Sequence, residues 1–168
     1  MADLTETTDQ TLRCISVKEG KYLTFSLAEE EYGIGILKIK EIIGMMAITT
    51  IPNAPAFVKG VVNLRGKVIP VLDLRQRFGM VPIEYNDRTC IIVVEIESDS
   101  GILLIGTVVD SVSEVASINR EDIEETPAFG VSLDTSYILG MAKVDDGVKI
   151  LLDIDQVLTP GEMSRLGE

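Results

Sequence analysis

The sequence has no histidine and no tryptophan among its 168 residues. Histidine is the commonest general base and a frequent ligand of zinc and copper, so Ser-His and Cys-His nucleophile systems and nearly all such metal sites are excluded. The sequence also lacks a GxxxxGK[ST] phosphate loop, a GxGxxG turn and a DxDxDG calcium loop. We therefore expect a protein that is not an enzyme and that needs neither a metal nor another cofactor.

Cysteine and long apolar runs are scarce as well. Cys14 and Cys90 form no CxxC arrangement, which favours reduced thiols over a secreted disulfide scaffold. The opening MADLTETTDQ has neither the basic start nor the apolar stretch of a signal peptide, and no run approaches the roughly 18 apolar residues of a membrane span. We expect a soluble, cytoplasmic protein whose residues 1–16 form a flexible tail.

Positive charge is in short supply. Fifteen basic residues against 27 acidic ones give a net charge of −12. Such a surface repels phosphate backbones and anionic lipid, so we expect no nucleic-acid partner and no membrane insertion. Apolar residues make up 46% of the chain but aromatic ones only 5%, which predicts an aliphatic core.

What the sequence does contain is a hairpin pattern that occurs twice. FVKGVVNLRGKVIPVLDLRQRF, which starts at Phe57, aligns without a gap on YILGMAKVDDGVKILLDIDQVL, which starts at Tyr137, at an offset of 80 residues. The alignment superposes Gly60 on Gly140 and Asp73 on Asp153. Two copies of one β-unit, with short alternating strands and regularly spaced turns, predict a mainly β protein of the barrel or sandwich type. A C-terminal helix is expected from residue 153.

Several segments of the sequence resemble the CheW-like family of bacterial chemotaxis, over about residues 20–165. They are EEEYGIGILKIKEI, IPNAPAFVKGVVNLRGKVIPVLDLRQRFG, VVDSVSEV and TSYILGMAKVDDGVKILLDIDQVL. The resemblance implies two intertwined, five-stranded SH3-like barrels that share a hydrophobic core. We expect one domain over residues 17–158, with a first barrel at about 17–88 and a second at about 89–158. Residues 159–168 would then form a helix end or tail.

The resemblance also implies a function. The stand-alone members of the family are adaptors that couple methyl-accepting chemoreceptors to the regulatory domain of the CheA histidine kinase, at receptor arrays on the inner membrane. The family's receptor contacts fall here on Ile39, Glu41, Ile42 and Arg65. Its kinase contacts fall on Gly60, Phe129 and Gly140. On this acidic chain we expect Arg65 to project into solvent as an isolated cation.

Each of these residues also has a plain structural interpretation. By spacing alone Ile39 and Ile42 are core residues, and Gly60 and Gly140 could serve only the fold. Two other functions stay open. One is a small-molecule sensor that uses the groove between the barrels. The other is a carboxylate enzyme built on Asp73 and Asp153, although equivalent positions of a repeat favour equal rather than opposed environments.

Overall fold

Alternating apolar residues and tight turns build a structure that is almost entirely β-sheet. The computed structural model describes residues 20–98, 101–125, 137–144 and 147–158. The strands there are β1 (Gly20–Leu27), β2 (Glu30–Gly35), β3 (Ile39–Gly44), β4 (Val58–Leu64), β5 (Lys67–Asp73), β6 (Cys90–Ser98), β7 (Gly101–Val109), β8 (Ser111–Ile118), β9 (Ile123–Glu124), β10 (Ile138–Val144) and β11 (Gly147–Leu152). Single 3-10 turns lie at Ile36–Lys38 and Arg120–Asp122, and short helices are α1 (Leu74–Arg77) and α2 (Ile154–Val157).

The predicted repeat is confirmed at the level of register. Hairpins β4–β5 and β10–β11 pair residue for residue at the same offset, and a β-bulge precedes Gly60 in one and Gly140 in the other. After each hairpin, the amide of Asp73 or Asp153 donates a 2.8 Å hydrogen bond back to the residue that precedes the hairpin's first strand. The two copies therefore share one backbone design down to its irregularities.

The two copies exchange strands. Barrel A has the order β3-β6-β7-β5-β4, and barrel B has the order β8-β1-β2-β11-β10-β9. The leading hairpin of each repeat, β1–β2 or β6–β7, thus completes the barrel that holds the later strands of the other repeat. Parallel pairing of β5 with β7 and of β11 with β2 joins the exchanged pieces.

The predicted limit between the barrels, at residues 88 and 89, does not coincide with a limit between the sheets. Barrel A is built from residues 39–109, whereas barrel B combines residues 20–35 with strands from 111–152. The repeats meet near residue 89, but hydrogen bonding follows the exchanged hairpins. The limits of the domain at 17 and 158 stay a prediction.

Both barrels are closed by the segment that follows their outermost long strand. In barrel A, Thr49 and Val61 exchange two backbone hydrogen bonds of 2.8 and 2.9 Å. In barrel B, the 3-10 turn after β8 leads into the two-residue strand β9, which pairs with β10. This closing contact needs only the two paired residues Ile123 and Glu124.

Three apolar cores hold the architecture together. A large central core joins both barrels and includes Phe25, Ile92 and Leu152, while smaller cores fill each barrel. A stack of aromatic rings crosses the central core from Phe25 through Tyr32 and Phe78 to Tyr137, with centroids 5.4–6.2 Å apart. The predicted shared core is confirmed.

The isoleucine-rich segment from residue 30 to residue 44 forms a strand, a 3-10 turn and a second strand. The predicted C-terminal helix exists as α2, and its predicted continuation lies outside the described residues, as do residues 1–16 and Phe129.

Candidate partner-binding surfaces

Arg65 occupies a strained turn. The turn that joins β4 to β5 consists of Arg65 at φ +52° and Gly66 at φ +86°, a geometry that favours Asn-Gly because both residues are left-handed. The Asn63 Oδ1 accepts the Gly66 amide at 2.8 Å and steadies the turn. A left-handed conformation costs about 1 kcal/mol or more for a residue with a Cβ, so arginine here lowers stability.

The Arg65 side chain projects into solvent, as predicted, but it is not an isolated cation. It is 71% exposed, and its Nη2 donates to Oε1 of Glu41 on β3. The structure therefore brings together two of the four predicted receptor residues, which are 24 positions apart in the chain. An exposed pair of this kind contributes little stability, about 0–1 kcal/mol.

The other two predicted receptor residues lie on the opposite face of β3. Ile42 pairs with Ile92 of the central core, whereas Glu41 pairs with Val93 of the barrel A core. Directly opposed residues share a face of the sheet. Ile42 is exposed at the rim of its face, at 42%, while Ile39 is partly buried against the central core.

The predicted kinase contacts Gly60 and Gly140 both have a packing reason. A Cβ on Gly60, at φ +141°, would lie 1.9 Å from the Thr49 oxygen, inside the contact that closes barrel A. A Cβ on Gly140 would lie 2.8 Å from the Ile123 Cγ2, at the closure of barrel B. Both glycines thus permit barrel closure, and this role explains them whether or not a partner also contacts them.

The two aspartates shared by the repeats have separate surroundings. The buried Asp73 caps α1, since its Oδ1 accepts the Arg75 amide at 2.9 Å and its Oδ2 accepts the Tyr85 hydroxyl at 2.9 Å. Asp153 makes no side-chain cap, and burial together with the charge of Asp155 raises its pKa. Burial also raises the pKa of Tyr85. Each aspartate belongs to its own strand–helix junction, and no contact described in the structure joins the two into one site.

An apolar groove of about 330 Å³ lies on barrel A. Its walls come from β4, β5 and β7 and include Val68, Pro70 and Ile102, with Lys67 as the charged member. The groove belongs to one barrel rather than to the space between the two, and its lining is mainly apolar. Lys67 is its one polar side chain, so the groove offers few of the groups that orient a small ligand.

Two interlocked SH3-like barrels, with candidate contacts on their surfaces instead of in a catalytic cleft, define a scaffolding module. Within the described ranges, no acidic or cysteine residues cluster closely enough to hold a metal ion. In the same ranges no helix is long and apolar enough to cross a bilayer.

The chain belongs to the CheW-like family, because residues 21–161 match the model of the CheW-like domain. It is 42% identical over 144 residues to the chemotaxis protein CheW of Klebsiella aerogenes, which covers 86% of this chain and 84% of that one. It is 32% identical over 140 residues to CheW of Rhizobium meliloti, with 83% and 88% covered.

A solved structure gives the same result. The crystal structure of the scaffolding protein TtCheW from Thermoanaerobacter tengcongensis matches with a TM-score of 0.71 and 40% identity, over 80% of this chain and 89% of that one. The chain is a chemotaxis scaffold rather than an enzyme, as the sequence analysis expected.

Two partly buried ion pairs that join the barrels were not predicted from the sequence. Arg75 binds Asp110, and Lys38 binds Asp155. The alignment of the repeats carried a signal for them, since it places Arg75 on Asp155, two opposite charges at one position of the shared design.

Proposed function

We propose that this scaffold couples the cytoplasmic tips of methyl-accepting chemoreceptors to the regulatory domain of the CheA histidine kinase. It would act in the cytoplasm, at receptor arrays on the inner membrane. The receptor surface consists of Arg65 and Glu41 together with Ile39 and Ile42 on β3. The kinase surface would include Gly60 and Gly140, together with Phe129, which lies outside the described residues.

The observation that carries this proposal is the conformation of Arg65. A two-residue hairpin turn accepts asparagine or glycine without strain, yet this one holds an arginine that is left-handed and 71% exposed. Its ion pair with Glu41 offsets little of that strain because it is exposed. Strained residues of this kind are common at functional contacts, so an exposed one with little to offset its strain is a candidate for such a contact. Arginine offers five directed donors to a partner, which makes it a frequent anchor of interfaces.

The surroundings of Arg65 support one mode of contact with a receptor tip. Glu41 fixes one edge of the guanidinium, so fewer side-chain rotamers are lost on binding. Ile42 adds an exposed apolar contact around the edge of β3. A receptor tip that touches both faces of this strand would combine a directed charged contact with apolar burial, as is typical of interface centres.

The decisive experiment separates stability from binding. We expect Arg65→Asn to leave the free energy of unfolding unchanged or to raise it, because asparagine tolerates the left-handed turn and only an exposed ion pair is lost. Binding of a receptor-tip fragment should weaken by roughly tenfold or more, the effect of removing an interface arginine. Binding of the kinase regulatory domain should not change. Arg65→Glu is less clean, since it also sets a second carboxylate against Glu41.

The β1–β2 turn supplies a matched control. Glu29 is left-handed too, at φ +72°, and exposed, but it lies on barrel B. Glu29→Asn should relieve strain in the same way and leave receptor binding intact. Equal loss of receptor binding in both variants, or wild-type binding by Arg65→Asn, would remove the basis of the proposal.

A further inference from the structure

The chain passes from one barrel to the other twice, and an ion pair lies at each of these crossings. After β2 it leaves barrel B through the 3-10 turn that carries Lys38, which binds Asp155 on α2. After β7 it leaves barrel A at Asp110, which binds Arg75 on α1. Arg75 and Asp155 are equivalent in the repeat. The two ion pairs therefore lie at corresponding crossings, with the positive and negative partners exchanged.

At the Asp110 crossing, both carboxylate oxygens of Asp110 accept hydrogen bonds. Arg75 grips the carboxylate at both oxygens, at 2.7 and 2.8 Å, and donates a third hydrogen bond of 2.8 Å to the Val81 carbonyl. The same carboxylate accepts the Ala28 amide at 2.9 Å, within the left-handed turn of the β1–β2 hairpin. The side chains of Arg75 and Asp110 are only 13% and 21% exposed. Bidentate, part-buried pairs of this kind are the stronger ones.

The Lys38 crossing is held more weakly. Lys38 makes one 2.6 Å contact to Oδ2 of Asp155, and the two side chains are 36% and 31% exposed. Oδ1 of Asp155 is buried and has no hydrogen-bond partner among the described residues. An unsatisfied buried acceptor costs free energy, which reduces what the pair contributes. Of the two crossings, this is the one that opens more easily.

The Lys38 crossing leads directly into the receptor surface. Lys38 precedes Ile39, the first residue of β3, and Glu41 follows just beyond a bulge in the pairing of β3 with β6. We propose that Lys38 and Asp155 are positioning residues, which hold the start of β3 against barrel B so that Glu41 and Arg65 present one fixed surface. The inference rests on the proposed function for the identity of the partner, but not for the positioning itself.

The test uses the full-length chain with two near-isosteric variants, Lys38→Met and Asp155→Asn. Amide hydrogen exchange over residues 36–41 should speed up by roughly two- to fivefold in each, the range expected from losing a part-exposed ion pair. Affinity for a receptor-tip fragment should fall by about the same factor, while affinity for the kinase regulatory domain should not change.

A reversed pair supplies a readout that a general loss of stability would not give. Lys38→Asp combined with Asp155→Arg places the acidic residue at the crossing and the basic residue on the helix, as in the Asp110–Arg75 pair. It should return both exchange and receptor affinity toward wild-type values. Lys149→Met is the matched control, because Lys149 on β11 binds Glu31 on β2 at 2.7 Å and this pair lies within barrel B.

The outcomes separate the two claims. Unchanged exchange over residues 36–41 in both single variants, or an equal change there in Lys149→Met, overturns the positioning role. So does a folded reversed pair that restores nothing. If the wild-type chain binds neither partner, the proposed function fails, and the exchange measurements still decide whether Lys38 and Asp155 position β3.

Discussion

The closure of barrel A depends on the missing side chain of Gly60. The bulge before this residue presses β4 against the segment after β3, where Thr49 and Val61 exchange two backbone hydrogen bonds. In Gly60→Ala the new Cβ would lie 1.9 Å from the Thr49 oxygen and 2.7 Å from its carbonyl carbon. Both atoms belong to the backbone, so no side-chain rotation relieves the clash. The closing contact has to open.

The cost follows from two terms. A residue with a Cβ is strained at the φ of +141° that Gly60 adopts, by about 1–3 kcal/mol. Loss of the two Thr49–Val61 hydrogen bonds adds about 0.5–1.5 kcal/mol each. We therefore expect Gly60→Ala to lower the free energy of unfolding by roughly 2–6 kcal/mol. This is a large part of the total free energy of unfolding of a typical domain, which is about 5–15 kcal/mol.

Gly140→Ala is the matched comparison. Its Cβ would meet a movable methyl group, the Ile123 Cγ2 at 2.8 Å, and the Glu124 oxygen at 3.1 Å. Small shifts relieve both contacts, and Gly140 does not have the left-handed φ of Gly60. A cost near 1 kcal/mol, about the lower end for overpacking, is expected.

Chemical denaturation of both variants measures the difference, and exchange of the Val61 amide reports the closing contact. Kinase binding should be compared per folded molecule, since an unfolded fraction would imitate a lost contact. A Gly60→Ala protein as stable as wild type, or two variants equally destabilised, would refute the closure argument.

The two shared aspartates should respond in opposite ways to the same change. Asp73→Asn should cost about 1–3 kcal/mol, because asparagine has one acceptor oxygen and therefore loses the hydrogen bond from either the Arg75 amide or the Tyr85 hydroxyl. The costs of Asp73→Asn and Tyr85→Phe should not add, and additive losses in the double-mutant cycle would contradict this. For Asp153 the folded pKa lies above the ordinary 3.8, so the native state binds more protons and loses stability as the pH rises from that value through the folded pKa. Asp153→Asn should be more stable than wild type at neutral pH, with the advantage vanishing below the ordinary value, and an advantage that grows in acid would show the wrong sign.

The local design of the fold could be predicted from the residues themselves, whereas the intertwining of the two barrels was expected only from the family resemblance. The fixed offset between Gly60 and Gly140 predicted two hairpins of one register, because a bulge and its glycine must move together. Alternation shows which face of a strand is buried, not which strand lies beside it. The pairing of β5 with β7 joins segments from different repeats, and nothing in a local pattern specifies such an exchange.

The residues of the proposed receptor surface could be predicted from the sequence, but their contacts with one another could not. The pattern marked Arg65 because a Gly-containing turn fixes its position, yet its partner Glu41 lies 24 residues away and comes near only when barrel A closes. Ile39 and Ile42 share one face of β3, yet Ile39 is partly buried against the central core and Ile42 is exposed. Position along the strand decides this difference, and the spacing of the isoleucines alone predicted both as core residues.

Strand exchange has a mechanical consequence for a scaffold. Neither barrel can close without a hairpin from the other repeat, so the two barrels depend on each other for folding and also share a core. Their relative orientation is then set where the chain crosses between them. One crossing, at Asp110, is saturated with hydrogen bonds, and the other, at Lys38, is not. A symmetric design would hold both crossings equally. Here the repeats have diverged in the sign of the charge at Arg75 and Asp155, which leaves the weaker fastening beside β3, where the partner is proposed to bind.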